Sequence, residues 1–139
     1  PTDLTELEAI KYCANKALEE AGITVHQLST AEVHDCFSIA GILTVEALGL
    51  AAPGKGCDYV AEGNTARDGI MPINTSGGLI GWGHPTGGTG VHQAVTIWQQ
   101  LTGKAGDYQV EIHKDRPYGM TINMGGDDVT ISAIVYKRG

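Results

Sequence analysis

The amino-acid sequence predicts a layered α/β domain, a sheet with helices packed against it. Three observations point there. Segments of helical and strand character follow one another in the order helix, strand, helix, loop, helix, strand, strand. The closing stretch VTISAIVY, Val129 to Tyr136, alternates with the period of a strand. With 139 residues and 42% hydrophobic content, the chain can bury one real core.

The first helix is expected to start under a cap from Thr2 or Asp3 and to run to Ala21. Leu4, Leu7, Ile10, Ala14, Ala17, Leu18 and Ala21 share a stripe, and Gly22 stops the helix. Ala31 to Asp35 reads as a short strand. Ser38 is placed to cap a helix through Leu48, with Ile39, Ile42, Leu43 and Leu48 inward and Gly49 ending it. Residues 51–76 form a long polar excursion with one short helix around Tyr59-Val60, and excursions of that length are usually functional. A helix beginning near Gly88-Thr89 carries Val91, Ala94, Val95, Ile97, Trp98 and Leu101 and stops at Gly103. Two strands close the chain, about Gly119 to Asn123 and Val129 to Tyr136, the second read as buried.

Composition narrows the function. The net charge is -7 with no basic run, which argues against a nucleic acid or an anionic membrane as partner. No apolar stretch approaches the roughly 18 residues of a membrane span. Three cysteines, Cys13, Cys36 and Cys57, suit neither a disulfide framework nor a zinc site; no metal is expected, and free thiols point to a reducing compartment. That means the cytoplasm of a bacterium, or the mitochondrion or peroxisome of a eukaryote. The chain opens on Pro-Thr-Asp without an initiator Met, as a fragment would.

Three polar or glycine-flanked loops gather the reactive side chains: His34-Asp35-Cys36-Phe37, Gly83-His84-Pro85 and Asn123-Met124-Gly125-Gly126. Each is placed at a strand end or helix start, where α/β sheets collect ligands. A Cys beside a His can form a thiolate–imidazolium system, at once nucleophile and proton shuttle. Lone cysteines are usually buried hydrophobes, and Cys13 and Cys57 are read so; Cys36, between a His-Asp pair and an aromatic, is read as reactive. His26, His92 and His113 read as surface or helix-face residues. The tract from Asn74 to Gly90 lacks the Gly-Lys-Ser/Thr ending of a phosphate loop, but a glycine-rich backbone suits an oxyanion or a thioester carbonyl. Spacing alone leaves a Cys/His site lined by glycine loops, balanced between enzyme and binding site.

The run Asn74-x-x-Gly77-Gly78 to Gly83-His84-Pro85-x-Gly87-x-Thr89-Gly90 resembles the C-terminal signature of thiolases. His34-Asp35-Cys36-Phe37 resembles the active-site loop of the sterol-carrier-protein type thiolases and their archaeal and bacterial relatives, where most thiolases have Asn-Glu-Ala-Phe. The resemblance covers essentially the whole chain as one domain, residues 1–139. It implies the C-terminal half of the thiolase fold: a mixed five-stranded sheet with helices on both faces, paired with a similar N-terminal half in an intact homodimeric enzyme.

On that resemblance, His84 activates the nucleophilic cysteine and helps form the oxyanion hole for the thioester oxygen. His34 positions a water in the same hole, so the two rings should meet, although their positions, 34 and 84, are far apart in the chain. Cys36 takes over the acid/base role that other thiolases give to a cysteine on the last loop, where this chain has Asn123. Asn74, Gly83, Gly125 and Gly126 belong to the oxyanion and substrate-binding surface. The implied reaction is ping-pong acyl transfer between coenzyme A thioesters, the thioester being substrate and no cofactor being needed. The nucleophile belongs to the N-terminal half, so this chain alone is expected to be silent. Alternatives are a thiolase-like retro-aldolase working with a partner protein, or a non-catalytic acyl-CoA-binding domain. Gly81 stands where the signature has Ser or Ala. Asp127-Asp128 stand where thiolases continue with small residues, and two carboxylates there would oppose enolate charge unless they point away.

Overall fold

The computed structural model describes residues 5–139. Helix α1 (Glu8–Ala21) leads into strand β1 (Leu28–Val33), then helices α2 (Ser38–Ala47), α3 (Gly56–Ala61), α4 (Gly78–Trp82) and α5 (Thr89–Thr102). Strands β2 (Tyr118–Gly125) and β3 (Thr130–Lys137) close the chain. The sheet order is β1-β2-β3, with β1 parallel to β2 and β3 antiparallel to β2.

Helices cover both faces, as expected. Ile10, Ala14 and Leu18 of α1 pack with Ala31, Val33, Met120 and Ile122 in the main core. On the opposite face Ile97 of α5 lies over Gly119, where an added Cβ would come within 2.7 Å of its side chain. The sheet has three strands among the described residues, not the five implied by the resemblance. Beyond β1 the chain at 71–74 runs parallel to it but makes a single bridge, Ala31 to Ile73. Pro72 brings no N–H to a ladder, and Asn74 turns away at φ 52°.

Several element boundaries and faces differ from the sequence expectation. Leu4 and the caps Thr2 and Asp3 lie outside the described residues; α1 starts at Glu8, and its first amides, Ala9 and Ile10, donate to the Asp128 carboxylate at 2.7 and 2.9 Å. A remote carboxylate thus does the work of a local cap. Strand β1 begins at Leu28 and ends before His34, because its polar residues are bonded and buried: Ser29 to Arg116 O, Thr30 to Pro72 O, Glu32 to Ser76. Ser38 makes no cap bond, and α2 turns Ala40, Thr44 and Val45 inward while Ile39 is 55% exposed.

The inner face of α5 mixes polar and apolar residues. Gln93, Thr96 and Gln100 are buried beside Ile97 and Leu101, leaving Val91, Val95 and Trp98 outside. Burial is open to these glutamines because their amides find backbone partners: Gln93 with Ile122 O, and Gln100 with Tyr108 O and the Val110 amide. Strand β3 is a half-exposed edge strand, not a buried one. The short helix α4 was hidden in the sequence by its glycines.

Candidate active site

The parallel strands β1 and β2 end side by side, and the chemistry gathers beyond those ends. His34 follows β1 and is 3% exposed; its Nδ1 lies 2.5 Å from Oδ1 of Asn123 on β2. The same oxygen accepts the Met124 amide at 3.1 Å, which fixes the orientation of the Asn123 side chain. An acceptor there places the His34 proton on Nδ1 and leaves Nε2 with its lone pair. Burial pushes the His34 pKa down, and the bond to Asn123 opposes that shift. The ring is therefore neutral at physiological pH.

His84 comes from the loop before α5. Its ring centroid is 4.8 Å from that of His34, the planes crossing at 88°. Its Nδ1 is 2.6 Å from Thr89 Oγ1, and that hydroxyl in turn donates to Pro85 O at 3.2 Å. With its own proton committed, Oγ1 accepts from Nδ1–H, which in the neutral ring selects the tautomer whose lone pair is on Nε2. Thr89 is fully buried, whereas His84 stands exposed on this surface.

A second set of contacts ties the two loops together. The Asn74 side chain accepts from the Val33 amide at 2.7 Å and donates to Val33 O at 3.1 Å. Asp35 accepts the Leu79 amide at 2.7 Å, at the start of α4. Between them Gly78 takes φ 61°, and a Cβ there would fall 2.3 Å from Asp35 Oδ2. Only glycine satisfies both the backbone and the space. Asn74 thereby anchors the end of β1, its amide occupied by backbone groups.

Cys36 is half-buried and opens into a cavity of about 270 Å³ with Phe37, Ala40, Leu43, Met124 and Asp127. Cys13 is half-buried on α1, but Cys57 is exposed on the short surface helix α3, correcting its reading as a buried hydrophobe. Gly83, at φ 99°, ends α4 just before His84. Past Asn123, Gly125 ends β2 opposite Thr130 and Gly126 opens the β2–β3 turn, both exposed. Both carboxylates that follow border the Cys36 cavity, but the oxygens of Asp128 are engaged by the first amides of α1.

Sequence reasoning took Asn123 only as the place of an absent cysteine and passed over Thr89 as a partner. Their one sequence signal was membership of the two glycine-rich motifs. Asn123 also needs Gly90 opposite it, where a Cβ would lie 2.8 Å from its Nδ2.

Known proteins resemble the chain in sequence and in fold. The chain is 43% identical over 136 residues to an acetyl-CoA acetyltransferase of Methanothermobacter thermautotrophicus, covering 98% of this chain and 35% of that protein. It is 45% identical over 100 residues to sterol carrier protein 2 of Homo sapiens, covering 72% of this chain and 18% of that protein. It thus spans about a third or less of the relatives it matches. Among solved structures, the Ltp2-ChsH2(DUF35) aldolase superposes with a TM-score of 0.79 at 20% identity, over 93% of this chain and 31% of that one, a likeness of fold. A family model, thiolase C-terminal domain-like, matches residues 1–138, and the chain belongs to that family.

Proposed function

We propose that this chain is the proton-handling half of an enzyme that transfers acyl groups between coenzyme A thioesters, by 3-oxoacyl-CoA thiolysis or the reverse Claisen condensation. The observation that carries the reading is the meeting of His34 and His84, each with Nδ1 tied to a neighbour and Nε2 left free.

The chemistry follows from that arrangement. The free Nε2 of His84 accepts the proton of a cysteine thiol supplied by the N-terminal half, giving a thiolate nucleophile. The same nitrogen, now N–H and positively charged, donates to the thioester oxygen that gains charge as the enolate forms. Neutral His34 accepts a water hydrogen at Nε2, and the second hydrogen of that water is aimed at the same oxygen. Cys36, on the same loop as His34, exchanges the proton at the substrate carbon. Asp128, whose charge is engaged by the N-terminus of α1, adds little repulsion to an enolate.

The partner is a second thiolase half, with a homodimer as the intact form. Val91, Val95 and Trp98, exposed along one stripe of α5, are the apolar face such a partner would cover. A retro-aldolase reading draws on a likeness of fold at 20% identity, whereas 43% identity to an acetyl-CoA acetyltransferase favours acyl transfer. The test is thiolysis of acetoacetyl-CoA by this chain alone and with an equimolar N-terminal half, followed by intact-mass analysis. Activity and an acetyl adduct on the N-terminal half are expected only in the mixture. Turnover by this chain alone would overturn the assignment of the nucleophile.

A further inference from the structure

Glu32 has no place in the mechanism above, yet it is a carboxyl group 1% exposed in the middle of the domain. Its Oε2 accepts from Ser76 Oγ at 3.0 Å, and its Oε1 has no hydrogen-bond partner. A buried carboxylate with one oxygen unpartnered is costly, and that cost favours the protonated form.

The position of Glu32 gives this proton a consequence. Beside the backbone bond from the Asn74 amide to Ala31 O, three side-chain links join the end of β1 to the turn at 74–79: Glu32 to Ser76, the Val33 backbone to Asn74, and Asp35 to the Leu79 amide. That turn continues through α4 directly into Gly83-His84, while the end of β1 carries His34. Glu32 is the one link whose acceptor can gain or lose a proton from a fully buried position. Asp35 is the charged group beside it. The buried residues on the α5 face, Gln93, Thr96 and Gln100, are uncharged, as are Thr121 on β2 and Ser76 in the turn.

We propose that Glu32 is a positioning residue, a buried carboxylic acid that clasps the 74–79 turn to the end of β1 and so sets the approach of His84 to His34. It works in its protonated form. Ionised, it would hold the Ser76 hydroxyl more strongly, but the bare charge buried on Oε1 and its repulsion of Asp35 outweigh that gain, so the clasp opens to hydrate the charge. Burial, the dominant influence, pushes its pKa up to about 7, against the opposing bond from Ser76. The geometry of the histidine pair is thereby coupled to pH through a residue that touches neither ring. The inference gives meaning to the acyl-transfer reading, but its test does not depend on turnover.

The test is NMR on the 139-residue chain, comparing wild type with Glu32→Gln and Ser76→Ala. Three readouts are taken from pH 5 to pH 9: the Glu32 side-chain carboxyl carbon, the Ser76 amide, and the cross-ring NOE between His34 and His84. The Glu32 carbon is expected to titrate at least two pH units above an ordinary glutamate, in step with the Ser76 amide. The cross-ring NOE should fall by about half or more above that transition in wild type. In Glu32→Gln, which cannot ionise, the Ser76 transition should vanish and the NOE should persist to high pH. Ser76→Ala should weaken the NOE at every pH. An ordinary glutamate titration, or the same pH response in wild type and Glu32→Gln, would overturn the proposal. A silent reconstituted enzyme with these NMR results intact would instead count against the acyl-transfer reading alone.

Discussion

Replacing Asp128 with alanine removes the carboxylate that accepts two of the first amides of α1. The carboxylate receives the Ala9 amide at 2.7 Å and the Ile10 amide at 2.9 Å, and Ile10 is fully buried. Loss of a helix cap costs about 1 kcal/mol. Leaving the Ile10 amide without a partner inside the core brings the sum to about 2–3 kcal/mol. Asp128 also sits at φ 54°, where alanine is strained and glycine is not. Asp128→Gly therefore isolates the lost hydrogen bonds, and the extra loss in Asp128→Ala measures backbone strain. Asp128→Asn keeps one acceptor and should cost about 1 kcal/mol. Exposed Asp127→Ala should lie within about 0.5 kcal/mol of wild type. The assay is urea unfolding followed by circular dichroism at 25 °C, with thermal unfolding as a second measure. For a chain of this size, 2 kcal/mol corresponds to a fall of about 7 °C in Tm. If Asp128→Ala and Asp128→Asn both match wild type, the remote cap is not holding the helix and the reasoning fails.

Gly78→Ala should destabilise the chain by about 2–3 kcal/mol, combining a left-handed backbone with a Cβ 2.3 Å from Asp35 Oδ2; urea unfolding checks it, and a neutral result would mean that the Asp35–Leu79 link is absent in solution. Asn123→Ala removes the bond that favours the charged form of His34 and should lower its pKa further, read by NMR titration of the ring; an upward shift would contradict the assigned contact. Glu32, with its pKa raised from 4.5 to about 7, contributes stability that is fully present below pH 4.5 and is lost as pH rises through 7. The loss is on the order of 3 kcal/mol, so unfolding free energies of wild type and Glu32→Gln should diverge across that window and run parallel above it. His34 acts in the opposite sense: its pKa is lowered, so its contribution is complete above about pH 6.5 and declines as pH falls through the depressed folded value.

What the sequence determined by itself was the type of each long element and the identity of the reactive loops. Gly22 and Gly103 end α1 and α5 in the left-handed conformation that the sequence predicts, because helix stops are written in local backbone chemistry. The triplet His34-Asp35-Cys36 and the Gly83-His84-Pro85 loop were legible because no buried strand or helix face uses such residues. The five-stranded sheet was legible only as a family expectation, and the three strands described here show that pairing depends on what lies beside β1. Long-range partners decided the rest. The inward face of α5 could not be read from apolar spacing, because Gln93 and Gln100, polar in the sequence, find backbone partners at Ile122 and Tyr108 in the fold. The cap of α1 comes from Asp128, well over a hundred residues away, which no local capping rule can see. Asn123 was invisible as a partner of His34 for the same reason. Local patterns record the conformational preferences of the backbone, whereas the protonation and orientation of the histidines are set by contacts that exist only once distant segments have packed.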